Sequence, residues 1–295
     1  MLLIGASEQA LGLGFPEGPL VLPDGRIAFV EEYGGCVSVF EGGRVRHLAQ
    51  VGGNPNGLAM GADGRIYVTR GRGVVGDWHA DELVAPAIVA VDPASGAWEV
   101  VTTTASDRPL RAPNDLCFGP DGMLYFTDPD DFRPGDNLRG WICRVGPTGT
   151  ELAYELGNTF PNGLAFDPTG RLVWMESHTK RVMGVTPDGG WETLVQLGQE
   201  TTPDGCAYAS DGRLVVATLF AGGLDVVEWG ADGPRVERMT WADGVVTTNC
   251  CFERSSIWVT DVSTDHQKTR NTGRLWRLET SLTGLPLWPG STGVG

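Results

Sequence analysis

The sequence is poor in basic residues and contains no long apolar run. It contains 22 Lys and Arg residues and 37 Asp and Glu residues, which gives a formal net charge of −15 at pH 7. A phosphate backbone attracts the opposite charge, so we expect no nucleic-acid partner. No run reaches the roughly 18 apolar residues that indicate a membrane span, and the first residues lack the charged and apolar regions of a secretory signal. The sequence therefore predicts neither a membrane partner nor secretion.

The six cysteines have none of the spacings that indicate a metal site or a disulfide framework. No Cys-x-x-Cys pair occurs, and Cys250 and Cys251 are adjacent. Scattered thiols of this kind are usual in a reducing compartment. The sequence thus predicts reduced, buried thiols in a cytoplasmic protein, with a secreted disulfide framework as the less favoured alternative.

Glycine is abundant, with 43 residues, and many of the glycines belong to an internal repeat. In five segments a polar residue stands eight positions before a turn glycine, and successive turn glycines are 39 to 58 residues apart. These turn glycines are Gly25, Gly64, Gly122, Gly170 and Gly212. A sixth, weaker copy begins at Thr248, where two serines replace the Asp-Gly turn. The chain therefore contains six copies of one structural unit.

Each repeat has the pattern of paired β-hairpins. An apolar run is followed by a Pro-Asp-Gly-type turn and by a second run of alternating apolar residues, which predicts a hairpin. A second hairpin follows in most repeats, and helical periodicity is nearly absent. Six units of four strands predict an all-β fold, a six-bladed β-propeller with four-stranded antiparallel blades in a single domain over residues 1–295. The sixth blade lacks one strand, which we expect residues 2–13 to supply, closing the ring.

The polar residue that opens each repeat is a candidate ligand. The first strand of each propeller blade lines the central channel, so these residues should form a ring at one mouth. They are Glu17, Asn56, Asn114, Asn162, Asp204 and Thr248. Each has a side-chain oxygen and none is basic, which favours one divalent cation, Ca²⁺ first, with Mn²⁺, Mg²⁺ or Zn²⁺ as alternatives. The preference of Asn and Asp for turns is the competing explanation.

The loops after the second strands should surround the same mouth. Three of them, residues 69–86, 127–140 and 260–273, are long enough to act as lids. Candidate substrate contacts in or beside these loops are Trp78, His79, His178 and His266, with Arg111 in the loop before Asn114. An ordinary solvent-exposed role is the alternative for any one of them.

Five segments together resemble the gluconolactonase family that includes regucalcin, the senescence marker protein. They are residues 15–19, 112–129, 160–170, 202–205 and 247–252, and they occur in the family's order. The resemblance implies a six-bladed propeller with one divalent metal in the channel mouth and hydrolysis of sugar lactones. It also implies that Glu17, Asn162 and Asp204 bind the metal, that Asp204 acts as a base, and that Asn114 contacts the substrate or the metal.

One departure from the family pattern concerns substrate binding. Regucalcin-like members carry an arginine two residues before the asparagine that corresponds to Asn114. Here that position is Ala112, and the nearest basic residue is Arg111. Sugar lactones are therefore not assumed as the substrate.

The sequence favours a metal-dependent hydrolase that opens a small-molecule lactone. The cation would polarise the ester carbonyl, Asp204 would take a proton from the attacking water, and Asn114 and Asn56 would position the substrate. Two alternatives stay open. One is phosphotriester hydrolysis at the same metal site, and the other is a non-catalytic propeller that binds calcium or a ligand.

Overall fold

The structure is built of antiparallel β-strands joined by turns and loops. The computed structural model describes residues 2–133, 138–264 and 269–293, and within these ranges it contains 28 strands and no helix. Accordingly, no described residue belongs to a helix that could cross a membrane.

The strands follow one another in the order that the repeat predicts. The first half of the chain contains β1 (Leu3–Leu13), β2 (Pro16–Val21), β3 (Ile27–Glu31), β4 (Cys36–Glu41), β5 (Arg44–Gln50), β6 (Asn54–Met60), β7 (Ile66–Gly71), β8 (Val74–Val75), β9 (Trp78–His79), β10 (Ala87–Val91), β11 (Trp98–Thr102), β12 (Thr104–Ala105), β13 (Arg108–Pro109), β14 (Leu116–Phe118) and β15 (Leu124–Pro129). The second half contains β16 (Gly140–Gly146), β17 (Gly149–Gly157), β18 (Pro161–Phe166), β19 (Leu172–Glu176), β20 (Arg181–Val185), β21 (Trp191–Gln196), β22 (Thr202–Tyr208), β23 (Leu214–Leu219), β24 (Gly223–Gly230), β25 (Gly233–Met239), β26 (Thr247–Glu253), β27 (Ser256–Asp261) and β28 (Gly273–Thr280).

Six four-stranded sheets form the blades of the propeller. Blade I consists of β2–β5, blade II of β6, β7, β10 and β11, blade III of β14–β17, blade IV of β18–β21, blade V of β22–β25, and blade VI of β26, β27, β28 and β1. The first strands of neighbouring blades contact one another around the channel. The prediction of a six-bladed β-propeller is confirmed.

The N-terminal strand closes the ring. β1 pairs antiparallel with β28, from Leu3 opposite Thr280 to Leu13 opposite Gly273. It is therefore the outermost strand of blade VI, whose other three strands come from the end of the chain. This pairing confirms the predicted closure and covers an edge that would otherwise invite aggregation.

The apolar core lies between the blades. In the described part of the chain, six apolar clusters occupy the six gaps between neighbouring blades. In the gap between blades VI and I, for example, Leu13 and Leu275 pack with Phe29. Both faces of each blade are buried in this way, which explains the nearly continuous apolar runs in the strands.

All six cysteines lie in the described ranges, and none of them forms a disulfide. Four are buried, while Cys117 and Cys251 are half-buried. Burial raises the pKa of the Cys36 thiol to about 11 and that of the Cys143 thiol to about 12. These thiols are therefore protonated and unreactive at neutral pH.

A C-terminal segment, residues 282–293, crosses the face that carries the Asp-Gly turns. The backbone N–H of Leu285 donates to the carbonyl oxygen of Tyr208 at 2.9 Å, and that of Ala62 donates to the carbonyl oxygen of Gly290 at 2.7 Å. The segment thus connects blade V to blade II across the lower end of the channel. It anchors at Leu282, which is fully buried in the apolar cluster between blades V and VI.

Leu282→Ala is expected to lower the free energy of unfolding by about 2–5 kcal/mol, because it leaves a cavity in a packed cluster. Leu287 is the matched control, since its side chain in the same segment is 74% exposed. Leu287→Ala should change stability by about 0.5 kcal/mol or less. Urea unfolding followed by tryptophan fluorescence measures both variants. Equal unfolding midpoints for the two would contradict a stabilising role for the segment.

Candidate functional site

A cavity of about 620 Å³ opens where the first strands of the blades begin. Five of the six predicted ring residues line it, namely Glu17, Asn56, Asn114, Asn162 and Asp204. We call this space the ring cavity. The structure thus brings together, from five different blades, the residues that the repeat singled out.

The sixth predicted ring residue, Thr248, lies elsewhere. Its fully buried hydroxyl donates to the carbonyl oxygen of Pro16 at 2.9 Å and lies 2.9 Å from Oγ1 of Thr260. Thr248 therefore joins blade VI to blade I, and the expectation that it faces the ring was wrong.

A Pro-x-Gly sequence places the ring residue in four of the inner strands. Proline is tolerated because the channel side of an inner strand is a sheet edge that needs no backbone donor. Glycine is required because neighbouring inner strands approach closely: a Cβ on Gly163 would lie 2.3 Å from the carbonyl oxygen of Asp204. A Cβ on Gly18 would lie 2.3 Å from the carbonyl oxygen of Asn56. This close approach makes the ring side chains converge.

Hydroxyl groups on or directly after second strands donate to the backbone at or next to the ring residue of the following blade. Thr127 Oγ1 donates to the carbonyl oxygen of Asn162 at 2.9 Å, and Ser177 Oγ donates to the carbonyl oxygen of Pro203 at 2.7 Å. Ser177 Oγ also accepts from Asn162 Nδ2 at 3.1 Å. Both the backbone and the side chain of Asn162 are therefore held in place.

Two further carboxylates belong to the site and were not predicted. Glu32 follows β3, lines the ring cavity and accepts a hydrogen bond from Asn56 Nδ2 at 2.7 Å. Asp115 follows Asn114 and points down the channel, where Asn249 Nδ2 donates to it at 3.3 Å. Both carboxylates are buried.

Burial and mutual repulsion perturb these acids. Burial, and then the charges of Asp204 and Asp115, raise the pKa of Glu17 well above its ordinary value. Burial, followed by the charges of Asp115 and Glu32, does the same to the pKa of Asp204. Burial raises the pKa of Asp115 to about 6. Among the described residues, no ion pair joins any of these carboxylates to a basic side chain. Converging carboxylates of this kind are costly unless a cation binds between them.

The amide oxygens add to the same donor set. Asn114 Oδ1 is buried and has no hydrogen-bond partner in the described part of the chain, which is uncommon for a polar atom. The amide nitrogens of Asn56 and Asn162 donate to Glu32 and Ser177, and both asparagines line the ring cavity. Carboxylate and amide oxygens alone form the set that a hard divalent cation prefers. The ring cavity can therefore hold such a cation.

The other predicted substrate contacts divide into two groups. Trp78 and His79 line the ring cavity. Arg111 does not, because its Nη2 donates to Asp130 Oδ1 at 2.8 Å. His178 does not either, because its Nε2 lies 2.7 Å from the carbonyl oxygen of Phe132. His266 lies outside the described residues.

Apolar side chains form most of the cavity wall above the polar ring. The aromatic ones are Phe15, Tyr33, Trp78, Phe132, Phe160 and Phe220, and Leu219 and Val262 accompany them. The sequence did not predict this wall, apart from Trp78. The ring cavity thus has a polar base and an apolar upper wall.

A second group of metal-ligating residues lies outside the cavity. Ligand atoms of Glu31, Cys36 and His47 lie within 4.8 Å of one another. The Glu31 carboxylate already accepts from Gly14 N at 2.9 Å and from Ser38 Oγ at 2.7 Å. None of the three residues lines the ring cavity.

The chain is similar to several known proteins. Residues 15–263 match the family described as "SMP-30/Gluconolactonase/LRE-like region". A gluconolactonase from Zymomonas mobilis subsp. mobilis is 27% identical over 217 residues, which are 67% of this chain and 57% of that protein. The chain therefore spans a little over half the length of this curated relative.

Two solved structures share the fold. A regucalcin from Agrobacterium tumefaciens, described as a calcium-binding protein, superposes with a TM-score of 0.76 at 19% identity, covering 98% of this chain and 97% of that one. A gluconolactonase from Xanthomonas campestris superposes with a TM-score of 0.72 at 20% identity, covering 93% of this chain and 89% of that one. Because the family match extends over most of the chain, the protein belongs to the SMP-30/gluconolactonase/LRE-like family.

Proposed function

We propose that the protein hydrolyses a small-molecule lactone with the help of a divalent cation held in the ring cavity. The observation that carries the proposal is that Asn114, whose buried Oδ1 has no hydrogen-bond partner among the described residues, lines the same cavity as the buried carboxylates of Glu17 and Asp204. Membership of the family and the name of the Zymomonas relative support the choice of a lactone as substrate.

The residues proposed to hold the cation are Glu17, Asn114, Asn162 and Asp204. Their oxygens favour Ca²⁺, while Mn²⁺ and Mg²⁺ accept the same ligand types. When bound, the cation would polarise the lactone carbonyl and stabilise negative charge on its oxygen.

The side chains of the chain would do the rest of the chemistry. Asp204 takes a proton from the attacking water. The water oxygen bonds to the carbonyl carbon, the ring C–O bond breaks, and the proton goes to the departing ring oxygen, which gives the hydroxy acid. Asn114 and Asn56 orient the substrate, and Glu32 holds Asn56 through its amide nitrogen. Trp78 and His79 contact the substrate from the wall.

We also propose a cytoplasmic location. The support is that the six cysteines, all of them described, carry free thiols, as is usual in a reducing compartment.

Asp204→Asn is expected to lower kcat for lactone hydrolysis by about 10²–10⁴-fold, because the proton acceptor is lost. The measurement is proton release from a panel of lactones, with chelator-treated protein and then with Ca²⁺, Mn²⁺, Mg²⁺ or Zn²⁺ restored. Chelation should abolish turnover of the wild-type protein. Asp232→Asn, at an exposed turn, is the matched control and should keep full activity.

Two results would contradict this proposal. Turnover that survives both chelation and Asp204→Asn would remove the cation and the base from the mechanism. Tight cation binding without turnover of any lactone would favour a phosphotriesterase or a calcium-binding protein, and phosphotriesters in the same panel distinguish these two.

Glu17→Gln is expected to stabilise the chelator-treated protein, and increasingly so as the pH rises from about 4 to 8. A raised folded pKa means that the stability contributed by Glu17 is full below its unfolded pKa and is lost as the pH rises through the folded pKa. The amide avoids that loss. Thermal unfolding in EDTA should show a gain of a few degrees, since about 1 kcal/mol moves Tm by about 2–4 °C in proteins of this size.

In saturating Ca²⁺ the wild type should be more stable than Glu17→Gln, which is the reverse of the order in EDTA. A ligand at 100 times its Kd adds about 2.7 kcal/mol of stability, and the wild type should gain more than the variant. Glu228→Gln, at an exposed position, serves as the control and should match the wild type throughout. A Glu17→Gln variant that is less stable than wild type at every pH in EDTA would count against charge repulsion in the ring cavity.

A further inference from the structure

The apolar wall of the ring cavity is not accounted for by lactone hydrolysis as such. Opening a lactone requires the polar base, whereas the wall contacts whatever the lactone ring carries. We infer that the substrate is a lactone with a bulky apolar substituent, aryl or alkyl, and not a polyhydroxylated sugar lactone. The inference rests on the proposed function and names its substrate class.

The wall is contributed by the whole propeller. Phe15 and Tyr33 come from blade I, and each of the other five blades supplies at least one further apolar residue. These are Trp78, Phe132, Phe160, Leu219, Phe220 and Val262. These apolar residues come from all six blades, and polar residues such as Asp77, His79 and Thr269 lie among them. Apolar surface of this kind favours apolar ligands.

The aromatic rings are packed against one another in two groups. Phe15 meets Trp78 edge to face at 5.3 Å between ring centroids, and Tyr33 lies 5.1 Å from Trp78. In the second group, Phe132 packs edge to face against Phe160, with 5.0 Å between the ring centroids. Such contacts hold the rings in place before a ligand binds.

The backbone adopts an uncommon conformation to present three of these rings. Phe15, Phe160 and Phe220 have φ angles of 59°, 49° and 66°. Positive φ is rare for a bulky side chain and persists where the surrounding structure enforces it. Aromatic residues are thus held where glycine or asparagine would be the usual choice.

Three arginines at or near the rim are bound to other protein groups. Arg133 pairs with Asp77 at 3.1 Å, and Arg270 pairs with Asp81 at 2.8 Å. Arg270 also stacks over the Tyr33 ring, 4.3 Å from its centroid. Arg111, the basic residue nearest to Asn114 in sequence, is bound to Asp130. A sugar lactone would need hydrogen-bond partners for several hydroxyl groups, and these arginines are engaged elsewhere.

The size of the cavity agrees with a substituted ring. Pockets of about 300–1,000 Å³ hold ligands of drug size, and the ring cavity measures about 620 Å³. A lactone with a phenyl or pentyl group would place its carbonyl at the polar base and its substituent against the aromatic wall.

The test compares three six-membered lactones that differ only in their substituents: δ-valerolactone, δ-phenyl-δ-valerolactone and D-glucono-δ-lactone. With the cation restored, kcat/KM for the phenyl lactone is expected to exceed that for δ-valerolactone by at least about 10-fold, since a single methylene in a fitted apolar pocket is worth about 10–200-fold. D-Glucono-δ-lactone should be the poorest substrate. A ranking with D-glucono-δ-lactone first would overturn the inference and leave the proposed function intact.

Variants of Trp78 test whether the aromatic wall causes the preference for the phenyl lactone. Trp78→Ala should remove most of the advantage of the phenyl lactone over δ-valerolactone, and Trp78→Phe should keep part of it. Trp229→Ala is the matched control, since Trp229 is a partly exposed tryptophan on β24 that does not line the ring cavity. It should leave the ratio unchanged. An unchanged ratio in folded Trp78→Ala protein would show that the wall does not select the substituent.

A binding measurement separates failure of the inference from failure of the proposed function. If no lactone is hydrolysed under any cation, the proposed function fails. Calorimetry with δ-valerolactam and its phenyl derivative then tests the wall directly. Tighter binding of the phenyl lactam, lost in Trp78→Ala, supports the apolar specificity, and equal binding of the two lactams contradicts it.

Discussion

The close approach of the inner strands around the channel is the constraint on which the site depends. Glycine follows the ring residue in four repeats, because a Cβ there would collide with the neighbouring inner strand. In the two remaining repeats the same position is Asp115 and Asn249, and these side chains fill the space that the glycines leave. A Cβ on Gly57 would lie 2.6 Å from Asp115 Oδ1, and one on Gly205 would lie 2.0 Å from Asn249 Cγ. The same packing brings Glu17 and Asp204 together, so the charge repulsion in the site is a consequence of the fold.

The features that could be predicted from the sequence are those that recur in each copy of the repeat. The hairpin pattern specified the blades, the closing strand and five ring residues, because each copy of the repeat obeys the same packing rule. Thr248 was wrong because its short side chain donates to the carbonyl oxygen of Pro16 in blade I and does not line the cavity. Asp115 and Asn249 could have been suspected, since they replace glycine at a fixed position of the repeat. Glu32 gave no such signal, because it follows a second strand and its neighbour Asn56 comes from the next blade.

Which loop residues line the ring cavity could not be predicted from the sequence, for a different reason. Whether a loop side chain lines the cavity depends on the groups that it contacts, and these contacts are set by the tertiary structure. Arg111 was a reasonable candidate by sequence distance from Asn114, yet Asp130 holds its guanidinium. His178 instead packs behind Phe132 and Phe160. Sequence proximity to a ring residue is therefore a weaker guide than position within the repeat.

The two levels of the ring cavity have different physical origins. The polar base depends on the inner strands, where any substitution disturbs the packing of two blades, so its donor set is tied to the fold. The aromatic wall depends on loops that differ from blade to blade, and a change there leaves the blades intact. The reaction class should thus follow the base, while the substituent accepted should follow the wall. Ala112 is consistent with this division. It stands in a loop where regucalcin-like members have an arginine, whereas Asn114 and the other oxygen donors of the polar base are present.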